Sequence, residues 1–255
     1  MLFHFENLGL LDQADLELAD LTLICGENNT GKTYATYAVY GFIRSWRQIL
    51  HFILEREVHA LLMDDNRSRI DLSSMFDGKV DEYLARMGKE YVRGLPRAFA
   101  TDLHVFKSTV CELKSCKESN ISNGSYQRLV QTSPRGKTLA TLKKEDGSAI
   151  LDVLVSDADL HQRTTVDLTE FIVDAIADIV FAPHLPQVHI SSAERTGAAI
   201  FRKELDIART KILKAINQID STELKRNPFR ILQEIDADYA WPVEDNVDFV
   251  RQLED

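Results

Sequence analysis

The eight residues Gly26-Glu27-Asn28-Asn29-Thr30-Gly31-Lys32-Thr33 constrain the fold of this chain more than any other stretch. They fit G-x-x-x-x-G-K-[ST], a phosphate-binding loop that needs a strand before it and a helix after it. Glycines at the two ends reach backbone angles closed to other residues, so successive N–H groups can turn inward as an anion cradle. Lys32 is placed to reach the β- and γ-phosphates of a nucleotide, and the Thr33 hydroxyl to ligate Mg²⁺. All eight residues are therefore candidate contacts for ATP, with Thr33 the candidate metal ligand. The flanks fit the pattern. Leu21-Thr22-Leu23-Ile24-Cys25 is a short apolar run that predicts a buried strand ending at Gly26. A helical pattern starts directly after Thr33 and aims a helix N-terminus at the phosphates.

A length of 255 residues suits one large α/β domain, or a domain carrying an inserted subdomain. Hydrophobic residues make up 44% of the chain, enough for a full core. No apolar run approaches the roughly 18 residues of a membrane span. The N-terminus lacks the basic-then-apolar layout of a signal peptide. Cys25, Cys111 and Cys116 give an odd count with no disulfide framework, and no nearby His or further Cys completes a zinc set around the last two. The expectation is a reduced, cytoplasmic protein without a membrane partner.

The formal net charge is −10, which argues against a wholly basic nucleic-acid-binding protein. The charge is uneven. Lys107, Lys114, Lys117, Arg128, Arg135, Lys137, Lys143 and Lys144 face only Glu112 and Glu118 within the same stretch. This is the candidate DNA contact, although a solvated face is the favoured reading of such a run.

Strand signals fall at Leu2–Glu6 and Ala14–Leu18, with a turn at Asn7-Leu8-Gly9 between them. Tyr34 to about Leu62 reads as helix, its stripe being Ala38, Phe42, Trp46, Ile49, Ile53 and Glu57. Asp64 to Lys117 is mixed and mainly helical, with breaks expected at Asp77-Gly78 and at Arg93-Gly94-Leu95-Pro96. Tyr126–Gln131, Thr138–Lys143 and Ala149–Val155, separated by turn residues, predict an antiparallel meander. An amphipathic helix is expected over Asp167–Val180, a short strand over Gln187–Ser191, and a second long helix over Ala198–Ile219. The domain reading is a phosphate-loop lobe of residues 1–63 and 119–197, a helical insertion at 64–118, and a helical arm or the start of a second part at 198–255.

Three stretches together resemble the N-terminal part of an ABC/SMC-type ATPase head, of the RecF-like and OLD-like AAA family found in bacterial phage defence and DNA repair. The first is Phe3 to Leu18 running into the phosphate loop, a strand, an N-[FL]-G turn and a second strand. The second is Val188-His189-Ile190-Ser191-Ser192-Ala193-Glu194-Arg195-Thr196-Gly197, which is similar to a strand followed by P-A-x-R-[ST]-G, with Ser192 in place of the proline. The third, Tyr239 to Asn246, is a weaker echo. The resemblance implies an α/β P-loop NTPase fold and an ABC/SMC-like first lobe with an antiparallel β-meander and helical insertion. It implies ATP and Mg²⁺ as cofactors. It also implies a second lobe or protomer as partner, and a nuclease or effector acting with it.

Such heads complete their site with a Ser/Gly-rich signature loop and with a Walker B strand ending in Asp and Glu. Neither occurs here in the expected order. Ala60-Leu61-Leu62-Met63-Asp64-Asp65 is the nearest Walker B pattern, and Ile121-Ser122-Asn123-Gly124-Ser125 faintly resembles a signature loop. The chain thus reads as the first half of a head, whether a truncation, a split protein or a degenerate relative. Glu194 and Arg195 are candidates for the nucleotide site or for a structural ion pair in equal measure. Two alternatives stay open: a nucleotide-binding interaction module without turnover, and a small-molecule kinase. The strand pair before the loop argues against the kinase.

Overall fold

The computed structural model describes residues 1–65, 69–115, 120–131, 138–155, 165–191 and 240–252. Within them the chain is α/β with antiparallel sheets. Strands β1 (Leu2–Leu8) and β2 (Leu11–Glu17) form a hairpin whose register pairs Leu2 with Glu17 and Leu8 with Leu11. β1 runs two residues past its expected end, and β2 starts three residues before its expected beginning and stops one short of Leu18, because Asn7 sits inside β1 in a left-handed conformation (φ 52°) and the reversal falls at Gly9. Thr109 Oγ1 donates to the Asn7 carbonyl at 2.6 Å, which fixes that kink.

Helix α1 runs unbroken from Lys32 to Asp65, 34 residues. A buried row at four-residue spacing, Ala38, Phe42, Trp46, Leu50, Leu54 and Val58, runs along it, joined near the start of the helix by Ala35, Val39, Tyr40 and Ile43. A four-residue step overshoots a helical turn by about 40°, so this stripe winds around the helix. It meets α3 (Val80–Ala98) on one side and α4 (Thr165–Ile176) on the other. The expected stripe drifted off this line at its end: Ile49 and Ile53 are only half-buried, and Glu57 instead accepts from the Tyr83 hydroxyl at 3.0 Å and from Arg86 at 2.8 Å.

Residues 64–118, expected as a helical insertion, supply strands as well. After β3 (Arg69–Asp71) and α2 (Leu72–Phe76) comes α3, then β4 (Val110–Lys114), which pairs antiparallel with β1 and completes a sheet of order β2-β1-β4. The break at Gly78 is present, with φ 66°. The break at Arg93–Pro96 is not, since α3 passes through Gly94 and Pro96. Proline forfeits one backbone hydrogen bond only a turn before the helix ends. The buried face of Tyr83, Leu84, Met87, Tyr91, Leu95 and Ala98 outweighs that loss.

The meander is present as β5 (Tyr126–Gln131), β6 (Thr138–Lys144) and β7 (Ile150–Val155), antiparallel, with β3 added at the far edge in the order β3-β7-β6-β5. Helix α4 ends in a π-turn, Ala177–Phe181, where the Ala182 N–H donates to the Ala177 carbonyl at 2.8 Å. One apolar core joins both sheets and the helices, with Phe42 set edge-on to Phe3 and to Tyr91. Residues 187–191 are not a strand: no ladder partner lies beside them among the described residues, although Ile190 is buried. The expected helix Ala198–Ile219, with Glu194 and Arg195, lies outside the described residues. Helix α5 (Trp241–Gln252) packs on α1 and α3, with Arg44 paired to Glu244 and Asp245 and stacked 4.8 Å over Trp241.

Polar links tie α4 to α1 and β5. Asp174 accepts from His51 and from Arg128, each at 2.8 Å, and Asp178 accepts from Arg47 at 2.8 Å. Partial burial alone would raise the Asp174 carboxyl, but the His51 and Arg128 hydrogen bonds outweigh it and hold it below its ordinary 3.8. A carboxyl depressed in the folded state contributes stability above its unfolded value and loses it as pH falls through the folded one. Thermal unfolding of the wild type and of Asp174→Asn should therefore differ at about pH 5 and converge as pH drops below 3.8. A stability gap that stays constant over that window would show that the pair contributes nothing.

Candidate functional site

The loop Gly26–Thr33 leads directly into α1, and its geometry follows from its own groups. Asn29 (φ 63°) and Gly31 (φ 84°) stand in left-handed conformations that bend the backbone back on itself. The Lys32 ammonium is drawn onto the loop's carbonyls, donating to Gly26 O at 2.9 Å and to Glu27 O. Thr30 Oγ1 donates to Glu27 O at 2.8 Å and closes the turn. The first main-chain bond of α1 runs from Ala35 N–H to Gly31 O at 3.1 Å. The N–H groups of Lys32, Thr33 and Tyr34 precede it and have no acceptor inside the helix. Donors of this kind at a helix N-terminus favour an anion. Thr33 is exposed and lies in this first turn.

Two contacts that sequence reasoning missed hold the loop in place. A Cβ on Gly31 would lie 2.6 Å from the Leu11 side chain, and one on Gly9 would lie 2.2 Å from the Tyr34 ring. The hairpin turn is thus pressed against the loop and the first turn of α1. Tyr34 in turn stacks on Phe99, ring centroids 5.3 Å apart. The N-x-G turn signal marked a reversal, but nothing in it showed what the turn would touch.

The segment before the loop departs from expectation. Leu21–Cys25 is neither a strand nor buried: Leu21 is 75%, Leu23 76% and Ile24 39% exposed. A strand exists only through its partners, and among the described residues no strand lies alongside. The Thr22 hydroxyl alone is engaged, donating to Glu17 O at 3.0 Å.

The two remaining motif candidates serve the fold. Ala60–Asp65 is the last stretch of α1, so it cannot act as a Walker B strand. Ile121–Ser125 is a turn closed around a lysine. Lys144, 1% exposed, donates to the carbonyls of Ser122 at 3.1 Å and of Gly124. Burial pushes its ammonium below the usual lysine range. Asp146 accepts from the Gly124 N–H at 2.8 Å. Lys144→Met should cost about 1–3 kcal/mol, because the carbonyls of Ser122 and Gly124 lose a charged donor. Urea unfolding measures this, and a cost near zero would mean that water replaces the amine.

The lysine and arginine run does not form one basic face among the described residues. Lys144 is buried, Arg128 is held by Asp174, and Lys143 pairs with Glu145 at 2.5 Å. Lys117, Arg135 and Lys137 lie outside the described residues. Lys114 joins Leu2, His4, Asp15 and Glu112 around a shallow pocket of about 200 Å³ on the outer face of β2-β1-β4, which includes no phosphate-loop residue. The Asp15 carboxylate, 2.7 Å from His4 Nδ1, raises the His4 imidazole above 6.5 against a smaller opposing effect of burial. No group of three or more His, Cys, Asp or Glu suited to a metal occurs among the described residues. Cys111 is a core residue of β4 whose thiol burial pushes up to about 12. No helix among the described residues is long and apolar enough to cross a membrane. Comparison with protein-family models, with curated proteins and with solved structures finds no match to this chain.

Proposed function

We propose that this chain is the ATP-binding component of an ABC/SMC-like P-loop ATPase, of the phage-defence or DNA-repair kind that the sequence resembles. One observation carries the reading: the Lys32 ammonium is gathered on the carbonyls of Gly26 and Glu27 at the open N-terminus of a 34-residue helix. Those carbonyls are weak partners for a full charge, and a phosphate oxygen is a stronger one. Lys32 would exchange them for the β- and γ-phosphates. The N–H groups of Lys32, Thr33 and Tyr34 would meet the same anion, and the Thr33 hydroxyl would orient toward Mg²⁺. Phosphoryl transfer is mostly positioning and charge stabilisation. Bound Mg²⁺ would supply the charge on the phosphates, while a general base and a signature loop would come from a second lobe or partner.

The reading is tested by titrating Mg–ATP into the chain by calorimetry, with saturable binding as the expected result and no heat of binding as the overturning one. Turnover by this chain alone should be slower than about 1 s⁻¹, the low end of ordinary enzyme rates. Phosphate release measures it, and Asp64→Ala should leave the rate unchanged. Fast release abolished by Asp64→Ala would place the catalytic carboxylate on α1 and refute the division between lobes.

A further inference from the structure

The first 31 residues contain six carboxylates, Glu6, Asp12, Asp15, Glu17, Asp20 and Glu27, and no Lys or Arg. Inside this acidic region lies the exposed apolar segment Leu21-Thr22-Leu23-Ile24-Cys25. Among the described residues its backbone N–H and C=O groups make no hydrogen bond. Its composition, Leu, Thr, Leu and Ile in succession, is that of a strand rather than of a solvated loop. Asp20 and Glu27 bound it on either side.

We propose that Leu21–Cys25 is an acceptor edge on which a partner polypeptide adds a β-strand, apolar along its length and carrying Lys or Arg at its ends. Main-chain hydrogen bonds supply the affinity in such strand addition, and side chains supply the selection. The apolar centre of the partner covers Leu21, Leu23 and Ile24. Its basic ends meet Asp20 and Glu27. A second copy of this chain is the wrong occupant on charge. Antiparallel self-pairing centred between Leu23 and Ile24 brings Asp20 of each copy opposite Glu27 of the other, and parallel in-register pairing sets Asp20 beside Asp20. Like charges facing each other across a ladder are destabilising. The surface adjoins the phosphate loop and shares Glu27 with it, so the test is run without ATP, and its outcome is separate from that of the nucleotide titration.

The probe is a synthetic peptide, Lys-Arg-Val-Thr-Val-Ile-Val-Lys-Arg, titrated into the full chain and followed by fluorescence anisotropy and amide hydrogen exchange. The expected result is slowed exchange at Leu21–Cys25 and an affinity that falls as salt rises. The same core with Glu at all four end positions should bind at least about tenfold more weakly, the sum of several modest ion pairs. Leu23→Pro, at an exposed position whose N–H bonds to nothing among the described residues, should keep the thermal unfolding of the wild type and lose the peptide. Unchanged exchange at 21–25, equal affinity for the two peptides, or undiminished binding by Leu23→Pro overturns the proposal. Light scattering completes the set: a dimer that depends on Leu23 would assign the edge to a second copy, and would overturn it too.

Discussion

Lys32→Ala is expected to weaken Mg–ATP binding by about 10- to 150-fold, the factor that 1.5–3 kcal/mol of charge-assisted hydrogen bonding corresponds to. In the free protein the ammonium is held by Gly26 O and Glu27 O, so the loop loses an internal tie as well. That tie lies at an exposed surface, where its loss costs the fold little. The variant should therefore unfold at nearly the wild-type temperature while its isotherm flattens. Titration calorimetry on both proteins at one salt concentration measures the ratio. Equal affinities would remove Lys32 from the nucleotide site, and with it the phosphate-loop reading. Greatly reduced thermal stability would show instead that the lysine is part of the scaffold.

Phe42→Ala should cost about 3–5 kcal/mol, the range for deleting a buried aromatic side chain together with the cavity it leaves. Its ring is fully buried on α1, 5.6 Å from Phe3 on β1 and 5.5 Å from Tyr91 on α3, edge-on to both. It joins the three elements that frame the phosphate loop. Tyr91 is fixed on its far side, its hydroxyl donating to Ala38 O at 2.8 Å, so little can collapse into the space. A domain commonly has only about 5–15 kcal/mol to lose. Urea unfolding with a shared slope gives the difference directly. A change below about 1 kcal/mol would mean that the site repacks, contrary to what close-packed interiors allow.

What local chemistry specifies was legible from the residues alone. The Gly31-Lys32 step, the hairpin turn at Gly9 and the helical start of α1 are short-range features, and they stand within a few residues of where the pattern put them. The meander was equally legible. Period-two alternation and turn residues mark antiparallel strands without reference to the rest of the chain, and β5, β6 and β7 begin within one residue of expectation. The Asp77-Gly78 break held for the same reason: a left-handed Gly78 is a local requirement.

Tertiary structure decided everything that depends on a distant partner. Val110-Cys111-Glu112-Leu113-Lys114 alternates buried and exposed, a weak strand signal that only pairing with β1 makes decisive. Pro96 reads as a helix stop until the buried face of α3 is set against it. Lys144 reads as part of a basic patch, yet the loop at Ser122–Gly124 wraps it and takes its charge out of solvent. Leu21–Cys25 shows the same dependence from the other side. Its apolar run reads as a strand, but strand propensity stabilises nothing until another backbone meets its N–H and C=O groups. Sequence by itself marked the hairpin turn at Gly9, the Gly78 break, the meander and the start of α1, and offered a loop of phosphate-binding pattern at Gly26–Thr33. Only the fold determined which strands are paired, which charges are spent on structure, and that Leu21–Cys25 is exposed rather than buried, because those depend on contacts between residues far apart in the chain.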